Sequence, residues 1–522
     1  MAWESCANSQ IAIATRLNFL KTPYELLYFW CVIMSEKKIK FRTKLLFSLG
    51  WPIEYIVLRA LELFVLFHYT QVLGLSGSLA GLALFIAMLF DALADPAIGA
   101  FSDNLRNSRF GRRHSLMFIA PLPLGICFAL VFLPPDGLAG WGLFAWLTAT
   151  TVAVRFACGL YIVPYSAQLA EMARDPAERA SLSIYKSVAQ TVFDFAMLAM
   201  AFNIFFAKKS DGTGGQADPS AYLPFALTLG LALVATSMIS ALGTYRFMRN
   251  VERQSSDAIA AAPRQRVSVA GILAAWRRVL FGNPNVRAIV VGALFSAIVT
   301  STSRSLTSHL GIFFWELTPQ QIGYWQQASI PGLFAGMLIA RFCAKRVELI
   351  RLVLIGLLLM FVTLAAPPLL RLLHVAPGNG TDTIFWMLLF GNFVMGTGSG
   401  ILLLLAGLVC AEAADEEEFL MGLPRQGFLF GFVFLSTKMG SALGKLISGA
   451  VLDMIGFPRG ADSVAIEVVN LLAWALVGAV IVLGALSYFF WSRFHLPKSR
   501  HAEILRALRF RHSARNEETP AG

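Results

Sequence analysis

The sequence predicts an all-α integral membrane protein with twelve transmembrane helices in two six-helix bundles. Three observations carry this. The chain of 522 residues is 57% hydrophobic and only 14% charged, against about 25% charged in a soluble domain. Twelve apolar segments are long enough, with tilt, to cross ~30 Å of hydrocarbon. Lysine and arginine collect in alternate loops. Every crossing is read as a helix, because an open strand leaves backbone groups unpaired in lipid.

Residues 1–43 form a leader. Its apolar patch Leu26–Met34 is too short to span, and nothing before it has the basic start and cleavage site of a signal peptide. Met34 opens M-S-E-K-K-I-K-F-R-T-K, a more usual cytoplasmic start, so translation is expected to begin there. The first bundle covers 44–247, with spans near 45–73, 78–101, 115–134, 141–170, 182–207 and 221–247. A linker, 248–286, follows. Within it Val267–Leu280 has the pattern of an amphipathic helix lying on the membrane surface, anchored by Trp276. The second bundle covers 287–492, with spans near 287–315, 319–343, 351–373, 382–410, 427–452 and 464–492. Residues 493–522 are a basic tail. Two similar halves around a long linker imply a duplicated architecture with a central site.

Loop charge sets the orientation. Arg106, Arg109, Arg112 and Arg113 follow the second span, Arg174, Arg179 and Lys186 the fourth, and Lys345, Arg346 and Arg351 the eighth. The linker and the tail are also rich in arginine, whereas Pro134–Gly140 has no Lys or Arg. Both termini are therefore expected in the cytoplasm, with the chain in a bacterial inner (plasma) membrane. The net charge of +12 is read as loop arginines facing an anionic leaflet, not as a nucleic-acid surface. The expected partners are a small-molecule substrate and the lipid bilayer, with no nucleic acid, and a monomer is the working expectation. The six cysteines show no zinc or disulfide spacing.

The chemistry concentrates in F-D-A-L-A-D-P-A-I-G-A-F-S-D-N-L-R-N-S-R-F-G-R-R, Phe90–Arg113. Asp91 and Asp95, four residues apart, share one helix face. An acid at bilayer depth costs about 3 kcal/mol, so a pair needs a reason. Two close carboxylates in a dry site repel, so one is protonated or a cation sits between them. That is the chemistry of a cation-coupled carrier; the plainer alternative is a structural hydrogen-bonded pair. Pro96, lacking an N–H, leaves the carbonyl of Ala92 without its usual partner and loosens the helix there. No G-x-x-x-x-G-K-[ST] is present, which argues against ATP as the energy source. H-E-x-x-H and G-x-S-x-G are absent as well, so an enzyme is not indicated. No cofactor is expected beyond a coupling ion, H+ or Na+.

The stretch D-A-L-A-D-P-A-I-G-A-F-S-D-N-L-R-N-S-R-F-G-R-R-H resembles the second-helix signature of the glycoside–pentoside–hexuronide cation symporters. These melibiose-carrier-like proteins have the major facilitator fold, and the lysophospholipid symporters are similar to them. Other stretches agree in order from Lys44 to Arg511: Y-I-V-P-Y-S-A-Q-L-A-E, E-R-A-S-L-S-I-Y-K, G-N-P-N-V-R, S-T-K-M-G-S-A-L-G-K and H-A-E-I. The resemblance implies alternating access, a coupling cation at Asp91 and Asp95, and Lys438 pointing into the shared cavity. It also implies a cytoplasmic gate in which Gly99 permits close helix contact and Asp103 pairs with Arg112 and Arg113 in the outward-open state; topogenic charge is the plainer reading of those arginines. This chain departs from the family pattern. Groups that help ligate sodium are replaced by Ala94 and Gly159, and the sugar-binding acids by Tyr55 and Ile162. A proton needs only one acceptor where sodium needs an oxygen cage, so the departures lean towards H+.

The remaining membrane charges leave the substrate open. Arg59 and Glu62 on the first span form either an intrahelical pair or part of the substrate cavity. Arg155 and Arg304 offer planar forks suited to a carboxylate or phosphate. Lys445, seven residues beyond Lys438, is a second cavity charge or snorkels to an interface. Asp194 is expected to pair with a neighbouring base. Tyr161, Tyr165, Trp325 and Gln326 are candidates for the cavity wall, although membrane aromatics are more often packing or interface anchors. Sugars or glycosides on one side and amphiphiles or lysolipids on the other both fit, and a transporter fold that senses without flux is a third possibility.

Overall fold

A computed structural model describes residues 39–105, 110–173, 175–208, 214–254, 282–421, 426–461 and 463–517. The leader up to residue 38, Arg106, Arg109, Arg174 and the expected helix Val267–Leu280 lie outside them. Among the described residues there is no strand, only an isolated bridge between Lys208 and Gly214.

The first half comprises α1 (Phe41–Ser48), α2 (Pro52–Ala60), α3 (Gly77–Asn104), α4 (His114–Ile119), α5 (Pro121–Phe132), α6 (Gly140–Met172), α7 (Pro176–Met200) and α8 (Tyr222–Gln254). The second comprises α9 (Pro284–His309), α10 (Pro319–Gln327), α11 (Ser329–Cys343), α12 (Leu349–Leu372), α13 (Asp382–Met421), α14 (Gln426–Met454), α15 (Ile466–Ser492) and α16 (Lys498–Glu517). Proline opens α2, α5, α7, α9 and α10, where its missing N–H has no partner to lose. Side chains finish several starts. Ser76 caps α3, Asp175 caps α7, and Thr318 with Gln321 makes a reciprocal capping box on α10.

Among the described residues eight helices are long and apolar enough to cross a membrane. The other four expected spans are present in interrupted or charged form. The first breaks before Pro52 and then widens into the π turns Leu61–Val65 and His68–Val72. The third divides at Ala120 into α4 and α5, and the eighth at Ala328 into α10 and α11. The eleventh, α14, carries Lys438 and Lys445. Two boundaries differ from expectation. α13 runs on to Met421, so the acidic run Asp415–Glu418 is helical. The tail forms α16, which buries Ile504 and Leu508 and places His501 3.0 Å from Asp415.

The halves meet chiefly through α3 against α14, the π turn Leu61–Val65 against α9, and α7 with the π turn Ala201–Phe205 against α10. Glycines make the first contact possible: a Cβ on Gly81 would stand 2.7 Å from the carbonyl oxygen of Lys445. Without side chains the two backbones can touch. At the start of α3 the free N–H groups of Gly77 and Ser78 donate to the Asp453 carboxylate of α14 at 2.9 and 2.8 Å, where the positive helix end also favours an anion. Thr70–His309 (3.1 Å), Gln216–Ser308 (3.0 Å) and Gln71 to the Pro458 carbonyl (3.3 Å) tie the halves on the same face. On the opposite, arginine-rich face Arg112 and Arg113 pair with Glu171, and His501 with Asp415, each within its own half. The molecule is sealed on the face where α3 begins.

Candidate ion and substrate site

Asp91 and Asp95 project from α3 towards α14, and the ammonium of Lys438 lies between them. Its Nζ donates to Asp91 Oδ2 at 2.6 Å and also to Asp95 Oδ2. The cation that two close carboxylates require is thus part of the chain itself. Asp91 has a second partner, Arg155 of α6, whose Nη2 is 2.6 Å from the same oxygen. Both groups are 1% exposed. Asp95 keeps 24% of its side chain accessible and has Lys438 as its one ion-pair partner among the described residues. Glu54 of α2 approaches Arg155 at 3.7 Å. Five ionisable groups from four helices therefore form one buried network, and it joins the two halves.

Seven residues along α14, Lys445 makes a second link. It is fully buried, 3.2 Å from Glu62 of the first π turn and 2.9 Å from Ser441. Glu62 also faces Arg304 of α9 at 3.5 Å. Arg59 and Glu62 do not pair with each other. Beyond Ala60 the backbone widens into a π turn, and the two side chains have different partners. Arg59 donates to Gln326 at 3.0 Å and stands 3.7 Å from Asp194. Asp194 finds the base expected for it, and Tyr55 donates to its other oxygen at 3.4 Å.

Beside this network lies a cavity enclosing ≈ 1140 Å³ of space including its open mouth. Tyr55, Arg59 and Asp194 line it from the first half, Arg304, Trp325 and Gln326 from the second. Of the residues expected in the cavity wall, Arg59, Arg304, Trp325 and Gln326 are there. Glu62 stands behind Arg304, and Arg155 and Lys438 belong to the ion network. Tyr161 and Tyr165 are a correction. Both are wholly buried inside the first half, with hydroxyls donating to the carbonyls of Ser237 (3.0 Å) and Phe47 (2.8 Å). Their face of α6 packs on α1 and α8, and Tyr165 stacks on Phe47 at 4.6 Å. From the sequence, Gln326 is a candidate for the wall, and Lys445 and Glu54 stand out as charges in apolar helices; Asp194 is expected only to pair with a base, and Asn392 is not foreseen.

On the arginine-rich face Asp103 pairs with Arg113 at 2.6 Å. Glu171 at the end of α6 binds Arg112 (2.6 Å) and Arg113 (2.8 Å), and Glu252 of α8 accepts from the Arg112 backbone N–H at 3.1 Å. Glu171 and Glu252 were not foreseen. Gly99 faces Val163 of α6, which a Cβ would meet at an ordinary 3.5 Å. The whole clasp lies within the first half.

A family model described as MFS/sugar transport protein matches residues 49–498. The chain belongs to that family. It is a membrane transporter of the major facilitator superfamily and not an enzyme. Among its relatives, the uncharacterized symporter YnaJ of Bacillus subtilis is 25% identical over 490 residues, covering 91% of this chain and 96% of that protein. The glucuronide carrier protein homolog of Escherichia coli is 25% identical over 441 residues, covering 81% and 85%. The crystal structure of the nucleoside transporter NupG superposes with a TM-score of 0.58 at 14% identity, covering 87% of this chain and 99% of that one. This likeness establishes the shared major facilitator fold, with its two helical bundles around a central cavity.

Proposed function

We propose that this family member is a proton-coupled symporter of a glycoside-type solute, with both termini in the cytoplasm and the sealed face outside. One observation carries the coupling: Lys438 of the second half stands between Asp91 and Asp95 of the first. An ammonium already fills the position a sodium ion would take between the carboxylates, and Ala94 and Gly159 bring no side-chain oxygen to complete a cage. A proton needs no cage. Asp91, held by two cations, stays ionised, while the more accessible Asp95, with one, is the proton's acceptor. Protonating Asp95 removes one of the anchors through which Lys438 ties the halves.

The substrate occupies the cavity bounded by Arg59, Asp194, Arg304 and Gln326, where charged and amide groups match hydroxyls or a sugar acid. The name of the Escherichia coli glucuronide carrier homolog supports that class. The Arg113–Asp103–Glu171 clasp is part of the cytoplasmic gate, with its pairs formed here within the first half.

The test is uptake into proteoliposomes under an imposed pH gradient, with and without Na+, using a panel of sugars, methyl glycosides and uronides. Asp95→Asn should abolish gradient-driven accumulation while the purified protein keeps its thermal unfolding midpoint. Unchanged concentrative uptake by this variant would remove Asp95 from the mechanism. Accumulation driven by Na+ and indifferent to pH would replace the proton.

A further inference from the structure

The cavity is divided by chemistry. Its charged groups come from α2, α7 and α9. The wall furthest from the first half, from α11, α12 and α13, is apolar: Leu333, Met360, Leu364, Pro367, Leu388 and Met395. The hydroxyls on this side are already used. Ser329 donates to the Gln326 carbonyl (2.8 Å), Thr363 to Leu359 (2.7 Å) and Ser399 to Met395 (3.0 Å), and the Asn392 amide donates to the Trp325 carbonyl. The hydroxyl hydrogens are spent on those carbonyls, so a ligand meets mostly hydrocarbon there, with a few acceptor oxygens. On the first-half side, by contrast, Arg59 Nε and Asp194 Oδ1 are buried 3.7 Å apart, each without a hydrogen-bond partner.

Gly391 keeps the apolar compartment open. A Cβ at this position would meet only Pro367 Cγ, at 3.8 Å. Several other glycines of α11, α12 and α13 are packed against backbone: at Gly356 the carbonyl oxygen of Gly398 is 3.0 Å from where a Cβ would stand, and Gly332, Gly336, Gly396 and Gly400 touch the facing main chain. Those glycines serve helix contact. Gly391 borders empty space.

Resting on the symport reading above, we infer that this compartment is a binding subsite for an apolar arm attached to the polar head of the substrate. The arm is an aryl ring or a short alkyl chain. From Met360 to Pro367 the wall follows two turns of α12, ~10 Å at 1.5 Å per residue. That length takes an aryl ring or an alkyl chain of short to medium length and falls short of a long acyl chain. The polar head stays at Arg59, Asp194 and Arg304, so the complete ligand is a head-and-arm molecule laid from the first half into the second.

The experiment measures quenching of cavity tryptophan fluorescence, since Trp315 and Trp325 line the site, in protein reconstituted into nanodiscs. The probes are methyl, butyl, phenyl and dodecyl β-glucosides and β-glucuronides. Burying a methylene contributes about 0.8 kcal/mol, so affinity should rise by up to about fourfold per added carbon from methyl to butyl. Phenyl should bind at least tenfold tighter than methyl, and dodecyl should gain far less per carbon than the methyl-to-butyl series, because its outer carbons overrun the compartment. In Gly391→Leu the phenyl-to-methyl ratio should collapse towards one. Leu364→Ala, which enlarges the compartment and needs no new volume, should move the optimum to a longer arm. Equal affinity for methyl and phenyl in the unaltered protein, or a ratio preserved in both variants, overturns the subsite and leaves symport standing. No binding by any member of the panel, with no proton entry into proteoliposomes on its addition, overturns the glycoside reading and the subsite with it.

Discussion

Lys445→Met tests whether the sealed face is held shut by charge. Lys445 has no exposed surface, and its Nζ sits 3.2 Å from Glu62 on the other half of the molecule. Methionine keeps the length and the packing but removes the ammonium. Stranding one member of a buried ion pair costs ~3–5 kcal/mol. Arg304 still faces Glu62 at 3.5 Å and is 35% exposed, so the lower end, ~3 kcal/mol, applies. Because the pair joins the first π turn to α14, this loss falls on the closed arrangement of the two halves and less on the folding of either. About 3 kcal/mol is roughly a 150-fold shift in a two-state equilibrium. The assay is the labelling rate of a reporter cysteine at Ala80, buried beneath the seal on α3, by an impermeant maleimide in a background without the native cysteines. Lys445→Met should raise the rate by up to that factor. Adding Glu62→Gln should bring it most of the way back, since replacing a whole buried pair is near neutral where breaking it is not. An unchanged rate in the single variant, or no recovery in the double, would refute the reasoning.

Two further outcomes follow from the same contacts. Asp91→Asn leaves the fully buried Arg155 with only Glu54 at 3.7 Å, so it should lose ~3–5 kcal/mol of stability and show a clearly lower thermal midpoint; Asp95→Asn should not. Gly449→Leu drives a side chain into the backbone carbonyl of Gly77, so Ala80→Cys should label rapidly even with Lys445 in place; a rate equal to the parent's would mean that α3 and α14 separate without need of the glycine contact.

The run of apolar segments and the alternation of arginine were enough to read a twelve-span, two-bundle membrane protein. The reason is that lipid leaves a backbone almost no other option. Helix ends were less legible where polar and apolar signals conflict. α13 carries Asp415–Glu418 on its last turns because α9 and α16 supply partners: Asn283 binds Glu417 and Asn285 binds Glu416. The tail helix α16 is strongly basic and has no continuous apolar run, so nothing local announced that Ile504 and Leu508 would be covered.

At the site, the shared face of Asp91 and Asp95 followed from a four-residue spacing, which is local geometry. The ammonium between them came from a lysine 347 residues away from Asp91, and sequence periodicity carries no information about which helices become neighbours. The same limit explains Tyr161 and Tyr165. Their residue type suited a sugar site, but the rotation of α6 about its axis turned them onto α1 and α8. It explains Arg59 and Glu62 too, whose three-residue spacing suggested a pair until a π turn and two distant partners separated them. The sequence by itself determined that charges lie buried in a membrane and must be neutralised. Only the tertiary structure decided which charge neutralises which, because that depends on the packing of helices far apart in the chain.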